Sequence, residues 1–122
     1  MTIEEELRTE VERRLRKQEE LYGFQLFLPN FLSDHPDLFL AYTDLSARLL
    51  VEPKHLNQRE VELAAISAST AMGSEHCLTT HITQAINIGI TKEEIVETMM
   101  IASLMSMTRG LATAFRKLDE LE

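Results

Sequence analysis

Two short breaks, Gly73-Ser74 and Gly89 to Thr91, cut the stretch from Asn57 to Met107 into three apolar-periodic segments. Each segment repeats its apolar positions at the helical period of 3.6 residues, and none alternates as a strand would. Helices joined by loops this short must double back on one another. Asn57 with Glu60, Ser74, and Thr91 with Glu94 supply N-caps, two of them with the carboxylate three residues on that a capping box uses. The expected helices are 58–72, 75–88 and 92 to about 107, with Gly73 and Gly89 as stops. The inner face of the first of these reads Val61, Ala64, Ala65, Ala68, Met72. The last is apolar nearly all round (Ile95, Val96, Met99, Met100, Ile101, Leu104, Met105) and is expected to lie centrally. Arg109-Gly110 is expected to kink or end it, before a final amphipathic segment from Leu111 to Leu121.

The preceding half follows the same period. Thr2 caps a charged helix over 3–21 with a thin apolar stripe of Ile3, Leu7, Val11 and Leu15. Glu4–Arg8, Glu10–Arg14 and Glu12–Arg16 have the favourable i,i+4 order. Residues 22–33 hold three of the five phenylalanines and Pro29, and read as a partly irregular apolar connector. A second helix opens at Ser33 or Asp34, carries Pro36 in its first turn, and ends before Pro53. The fold class is all-α, a bundle of about six helices. With 122 residues and no linker or low-complexity tract, the chain reads as one domain over residues 1–122.

Charge and cysteine usage narrow the function. The net charge of −8 repels phosphate backbones, so nucleic acid is not an expected partner. The one basic cluster, Arg13-Arg14-Leu15-Arg16-Lys17, is flanked by acids and reads as a solvated helix face. The opening residues lack the basic and apolar regions of a signal peptide. The longest apolar stretch, around Ile95 to Met107, is interrupted by Glu97, Thr98, Ser103 and Ser106 and is too short to span a bilayer. A single cysteine forbids an internal disulfide and fits a reducing cytoplasm, without membrane partners.

That cysteine is the centre of the most informative segment, Gly73-Ser74-Glu75-His76-Cys77-Leu78-Thr79-Thr80-His81. Cys77 falls in the first turn of its helix, where unsatisfied N–H groups and the helix dipole favour a thiolate. His81 stands one turn on, at i,i+4, where an imidazole can take the thiol proton or hold the thiolate. Ser74 can cap the helix or donate to the sulfur. Glu62 lies near the inner face of the preceding helix, where a buried carboxylate beside a thiol can accept a proton. The competing reading is bland: a free cysteine is most often a small buried hydrophobe, and Glu62 can be one of several solvated acids. His76, Cys77, His81 and Glu62 are all metal-ligand types, but adjacent His76 and Cys77 point about 100° apart on a helix. No metal or other cofactor is expected. His35 and His55 sit at element edges, and the methionines at 99, 100, 105 and 107 read as core filler.

Residues 56–107 resemble the core of the alkylhydroperoxidase AhpD and carboxymuconolactone decarboxylase family. The redox members carry Glu, eleven residues, Cys-x-x-Cys, three residues and His; here the same spacing runs Glu62, Ser74, Cys77, His81. His76 matches a histidine found before the second cysteine in some members. The Ile-Gly-Ile-Thr turn followed by Glu-Glu-Ile is also typical. The resemblance implies an all-α subunit that assembles as a trimer or hexamer. It also implies a small-molecule substrate such as a hydroperoxide, with Cys77, His81 and Glu62 catalytic and Ser74 and His76 behind them. Ser74 departs from the pattern at the first cysteine. Ser-x-x-Cys cannot close an internal disulfide, so an oxidised Cys77 needs an external thiol to resolve it. Two other functions stay open: a cofactor-free acid–base enzyme of the decarboxylase branch acting through His81 and Glu62, and an oligomeric member without activity.

Overall fold

The computed structural model describes residues 1–122 and is built of six α-helices and one π-helical turn, without strands. The helices are α1 (Ile3–Tyr22), α2 (Phe27–Leu32), α3 (Pro36–Ser46), α4 (Gln58–Met72), α5 (Glu75–Asn87) and α6 (Lys92–Leu121). The π-helical turn, Ala47–Val51, continues α3 directly. No helix is long and apolar enough to cross a membrane. The backbone divides into two compact units, residues 1–61 and 62–122.

In the first unit, α1 starts at the expected cap. Glu5 N–H donates to Thr2 Oγ1 at 3.1 Å and Thr2 N–H donates to Glu5 Oε2 at 2.9 Å, a closed capping box. Of the three charge pairs expected along α1, only Glu10–Arg14 closes, at 2.7 Å. Arg14 corrects the reading of its cluster as a solvated face. Its guanidinium also donates to Leu40 O at 3.1 Å and Thr43 Oγ1 at 2.8 Å, and pairs with Asp44 at 2.9 Å. A planar donor fork can serve several acceptors at once, and here it ties α1 to α3. The charged cluster therefore contains a packing residue that periodicity alone does not reveal.

The apolar connector after α1 is more ordered than its proline suggested. Pro29 occupies the first turn of α2, where its missing N–H has no intrahelical partner to lose. Phe27 and Phe31 meet at i,i+4 as a tilted ring pair with centroids 5.8 Å apart. Phe39 of α3 is fully buried and centres this unit. Gln58 Nε2 donates to Val51 O at 2.6 Å, satisfying a carbonyl at the end of the π-helical turn.

Beyond residue 61 the expected pattern of three helices holds, and its core falls partly on the expected residues. Ile66 of α4, Ala85 of α5, Ile90 of the following turn and Ile95 of α6 form the buried cluster. Leu63, Leu78, Ile82 and Met99 pack against it. On α4 Glu62, Ile66 and Ser69 are covered together with Val61 of the expected inner face, Ala65 of that face is half-buried, and Ala64, Ala68 and Met72 are exposed. The larger Ile66 removes more apolar area from water than the alanines do, which decides which stripe turns inward. Gly73 (φ 70°) and Gly89 (φ 91°) take the left-handed conformation that ends α4 and α5 without a Cβ penalty.

α6 departs furthest from expectation. Thr91 and Glu94 close a capping box, and the helix then runs unbroken for 30 residues through Arg109 and Gly110. One interior glycine costs only about 1 kcal/mol relative to alanine, too little to interrupt so long a hydrogen-bond ladder. Only Ile95 and Ala102 of α6 are buried. The helix expected at the centre instead leaves Met100, Leu104, Met107, Leu111 and Phe115 exposed in the single chain.

Candidate active site

The candidate groups are delivered by α4 and α5, which the Gly73 stop joins as a tight hairpin. Glu62 is 1% exposed and His81 7% exposed. They meet at 2.8 Å between Glu62 Oε2 and His81 Nδ1, although 19 residues separate them in sequence. With the carboxylate ionised, Nδ1–H donates to Glu62, and Nε2 is left as the basic nitrogen of the ring. The pair fixes the ring's orientation, and an ionised Glu62 selects the tautomer that carries the proton on Nδ1.

Cys77 lies at the third position of α5, one turn before His81 on the same side of the helix. Its thiol is free and half-buried, so it is neither sealed in hydrocarbon nor fully in water. First-turn backbone N–H groups have no helical partner and point along the axis toward this end. Sγ makes no hydrogen bond to His81 in this geometry.

Ser74 occupies the N-cap position of α5 but its hydroxyl does not cap the helix. Its backbone N–H donates to Ser69 O at 2.9 Å and its carbonyl accepts from Leu78 N–H at 3.0 Å, leaving Oγ uncommitted one turn before the thiol. His76 is exposed and on a different face from Cys77. Its carbonyl accepts from Thr80 Oγ1 at 3.0 Å, and its ring shares no hydrogen bond with the Glu62–His81 pair. His, Cys, Asp and Glu side chains nowhere gather in threes about a point that could hold a metal.

Sequence reasoning missed two polar side chains on the same helix as these groups. Thr80 is buried on α5 and satisfied by its own helix. Gln84, one turn beyond His81, has its Oε1 buried without a hydrogen-bond partner. Helical spacing from Cys77 was the available signal, since residues 77, 81 and 84 share one stripe.

No curated protein matches the chain in sequence. Residues 36–120 match the carboxymuconolactone decarboxylase family. That match takes in α3 through nearly all of α6 and includes Glu62, Ser74, Cys77 and His81. It covers well over half of the 122 residues, and the chain therefore belongs to the carboxymuconolactone decarboxylase family.

Proposed function

We propose that this protein is a single-cysteine thiol oxidoreductase that reduces an organic hydroperoxide and is regenerated by an external thiol. The observation that carries the reading is the buried Glu62–His81 pair, held at 2.8 Å one helical turn from a half-buried free thiol. In the first step the Cys77 proton passes to His81 Nε2, directly or through one water. The thiolate attacks the terminal peroxide oxygen, the S–O bond forms and the O–O bond breaks. The departing alkoxide takes the proton back from His81 and leaves as an alcohol. Sulfur is oxidised to the sulfenic acid and the peroxide is reduced. Glu62 holds the imidazolium while it carries the proton. A first external thiol then condenses with the sulfenic acid, releasing water and forming a mixed disulfide. A second displaces Cys77 as the free thiol.

The deciding experiment is mass spectrometry of Cys77 after mild peroxide, with a sulfenic-acid trap, beside the Ser74→Cys variant. A trapped sulfenate in the natural chain, and turnover with a dithiol in the variant, are the expected results. An inert Cys77 in both proteins overturns the proposal.

A second reading is favoured by one feature: the Glu62–His81 pair is complete without any bond to Sγ. In that case the pair does acid–base work on a small carboxylated or lactone substrate, and the thiol is incidental. Cys77→Ser leaves that activity intact and abolishes the peroxide reaction.

The same proposal includes assembly into a homo-oligomer, a trimer or hexamer. On α6, Met100, Leu104, Met107, Leu111, Ala114, Leu118 and Leu121 follow alternating steps of four and three, and all are exposed. That spacing presents one seam along the helix. Ile101 and Phe115, also exposed, widen it beyond what one partner helix covers. A patch of this extent is unusual on a monomer. Light scattering at micromolar concentration is expected to give a multiple of 14.0 kDa; a clean monomer refutes the assembly.

A further inference from the structure

Past Ala102, α6 has no covered face. From Ser103 to Leu121 every residue is exposed, yet the segment stays helical throughout, over about 28 Å. A helix of that length is marginal in water by itself and draws its stability from covering an apolar stripe. The stripe is the seam from Met100 to Leu121, with Ile101 and Phe115 beside it. Ile95 and Ala102, the buried residues of α6, lie on the opposite side of the helix. The large apolar residues of the stripe are 43% to 80% exposed. At roughly 200 Å² for each when fully exposed, they offer on the order of 900 Å² on this one helix. A stable interface takes about 800 Å² from each partner.

We infer that this seam is covered by the same seam of a second copy, with the two α6 helices parallel and in register. The inference rests on the homo-oligomer reading, and names the surface and the direction of pairing within it. α6 is complementary to itself in that arrangement. In a parallel coil, the residue just before a seam leucine faces the residue five positions further on in the neighbouring helix. Ser103, Gly110 and Lys117 precede the seam leucines, and they face Thr108, Phe115 and Glu122 of the second copy. These contacts set hydroxyl against hydroxyl, the largest side chain of the segment against the smallest, and cation against anion. Within the single chain Lys117 pairs with Glu120, but both side chains are mostly exposed, so Lys117 exchanges that partner at little cost. An antiparallel pairing along the full seam instead sets Glu97 against Leu121 and Glu94 against Glu122, a charge on hydrocarbon and a like-charge pair. Glu93 and Glu97 continue the seam's spacing toward the start of α6, and their like charges end the parallel coil at Met100. Parallel helices are related by rotation about an axis along α6, and a stripe widened by Ile101 and Phe115 serves two neighbours around that axis.

Two neighbouring methionines test whether the seam is covered. Met105 and Met107 are 55% and 54% exposed in the single chain, and only Met107 lies on the seam. Brief treatment of the natural chain with excess hydrogen peroxide, followed by peptide mass spectrometry, is expected to convert Met107 to the sulfoxide about fivefold more slowly than Met105. The direction of pairing is read with Leu118→Cys in a Cys77→Ser background, which removes the native thiol. A parallel pair brings the two 118 positions within disulfide reach. An antiparallel pair holds them more than about 20 Å apart. Mild oxidation is expected to yield a covalent dimer on a non-reducing gel. Arg116→Cys in the same background, on the side away from the seam, is expected to cross-link about tenfold more slowly, since it lacks the effective concentration of a facing thiol. Equal oxidation of Met105 and Met107 overturns the inference, and so does a Leu118→Cys protein that forms no covalent dimer. Light scattering tells the two readings apart. A multiple of the chain mass with either of those results sinks the α6 pairing and leaves the assembly standing, whereas a clean monomer sinks both.

Discussion

Breaking the Glu62–His81 pair gives a measurable coupling whose size follows from its geometry. The contact is 2.8 Å long, and its partners are 1% and 7% exposed. A hydrogen bond to a charged group contributes about 1.5–3 kcal/mol, and burial places this pair toward the upper half of that span. Solvent does not screen it as it screens a surface pair. Glu62→Gln retains a carbonyl that can still accept from Nδ1–H, but removes the charge that holds an imidazolium. His81→Gln removes the ring and leaves a buried carboxylate without its partner, the costlier loss. Urea unfolding of the natural chain, both single variants and the double variant, at one protomer concentration, yields the coupling free energy. The expected value is about 2 kcal/mol, with His81→Gln the more destabilising single change. Iodoacetamide alkylation of Cys77 near neutral pH reports on the same pair through the sulfur, and is expected to slow in both single variants. A coupling below about 0.5 kcal/mol, within ordinary additivity, refutes the argument that the pair is a buried charged hydrogen bond.

Three further outcomes follow from the packing. Gly110 lies inside α6 with helical backbone, and a Cβ built there meets nothing within 4 Å; Gly110→Ala is therefore expected to stabilise by about 0.5–1 kcal/mol, read from the denaturation midpoint. Ile66 is fully buried in the cluster with Ala85, Ile90 and Ile95; Ile66→Ala is expected to cost about 2–5 kcal/mol, and a loss under 1 kcal/mol contradicts that placement. Hydrogen bonds from Arg13, then Arg14, lower the Glu10 carboxyl from 4.5 to about 2. Its folded value is the depressed one, so its contribution is present in full above pH ~4.5 and disappears as pH falls toward 2. Thermal melts from pH 5 to pH 2 are expected to fall less steeply in Glu10→Gln than in the natural chain.

The local rules carried most of the fold. Thr2, Asn57 and Thr91 sit where their capping hydroxyls or amide and the carboxylates three residues on must satisfy helix N–H groups, and all three close as reciprocal pairs. Gly73 and Gly89 stop helices because the left-handed conformation costs them nothing. Gly110 differs only in its neighbours: with no cap or proline after it, the same residue type stays helical. The inner face of α4 was less legible because two stripes share one period. Val61, Ala64, Ala65, Ala68 and Met72 are spaced as well as Glu62, Ile66 and Ser69, and an alignment of apolar residues alone favours the alanines. Ile66 tips the choice by its size, and Glu62 beside it is admissible inside because His81 receives it. Arg14 escaped notice for the same reason, since its acceptors lie on α3 and no local pattern contains them.

That reversal links the fold to the chemistry. Turning Glu62 inward removes a charge from water, and the arrangement persists only because an imidazole on the next helix receives it. The helix register that buries Glu62 also places Ile66 in the apolar cluster. A sequence that kept the cluster but replaced His81 with an apolar residue would leave the carboxylate stranded, and α4 would gain by rotating its alanine stripe inward. The acid–base pair is thus part of what selects the register of α4. The Glu62–His81 pair and the packing are tested together by one observation: in His81→Leu, Met72 and Ala68 are expected to lose exposure as Glu62 gains it. Hydrogen exchange or methionine oxidation at Met72 reads the change directly, and a Met72 that stays as reactive as in the natural chain shows that packing alone holds α4 in place.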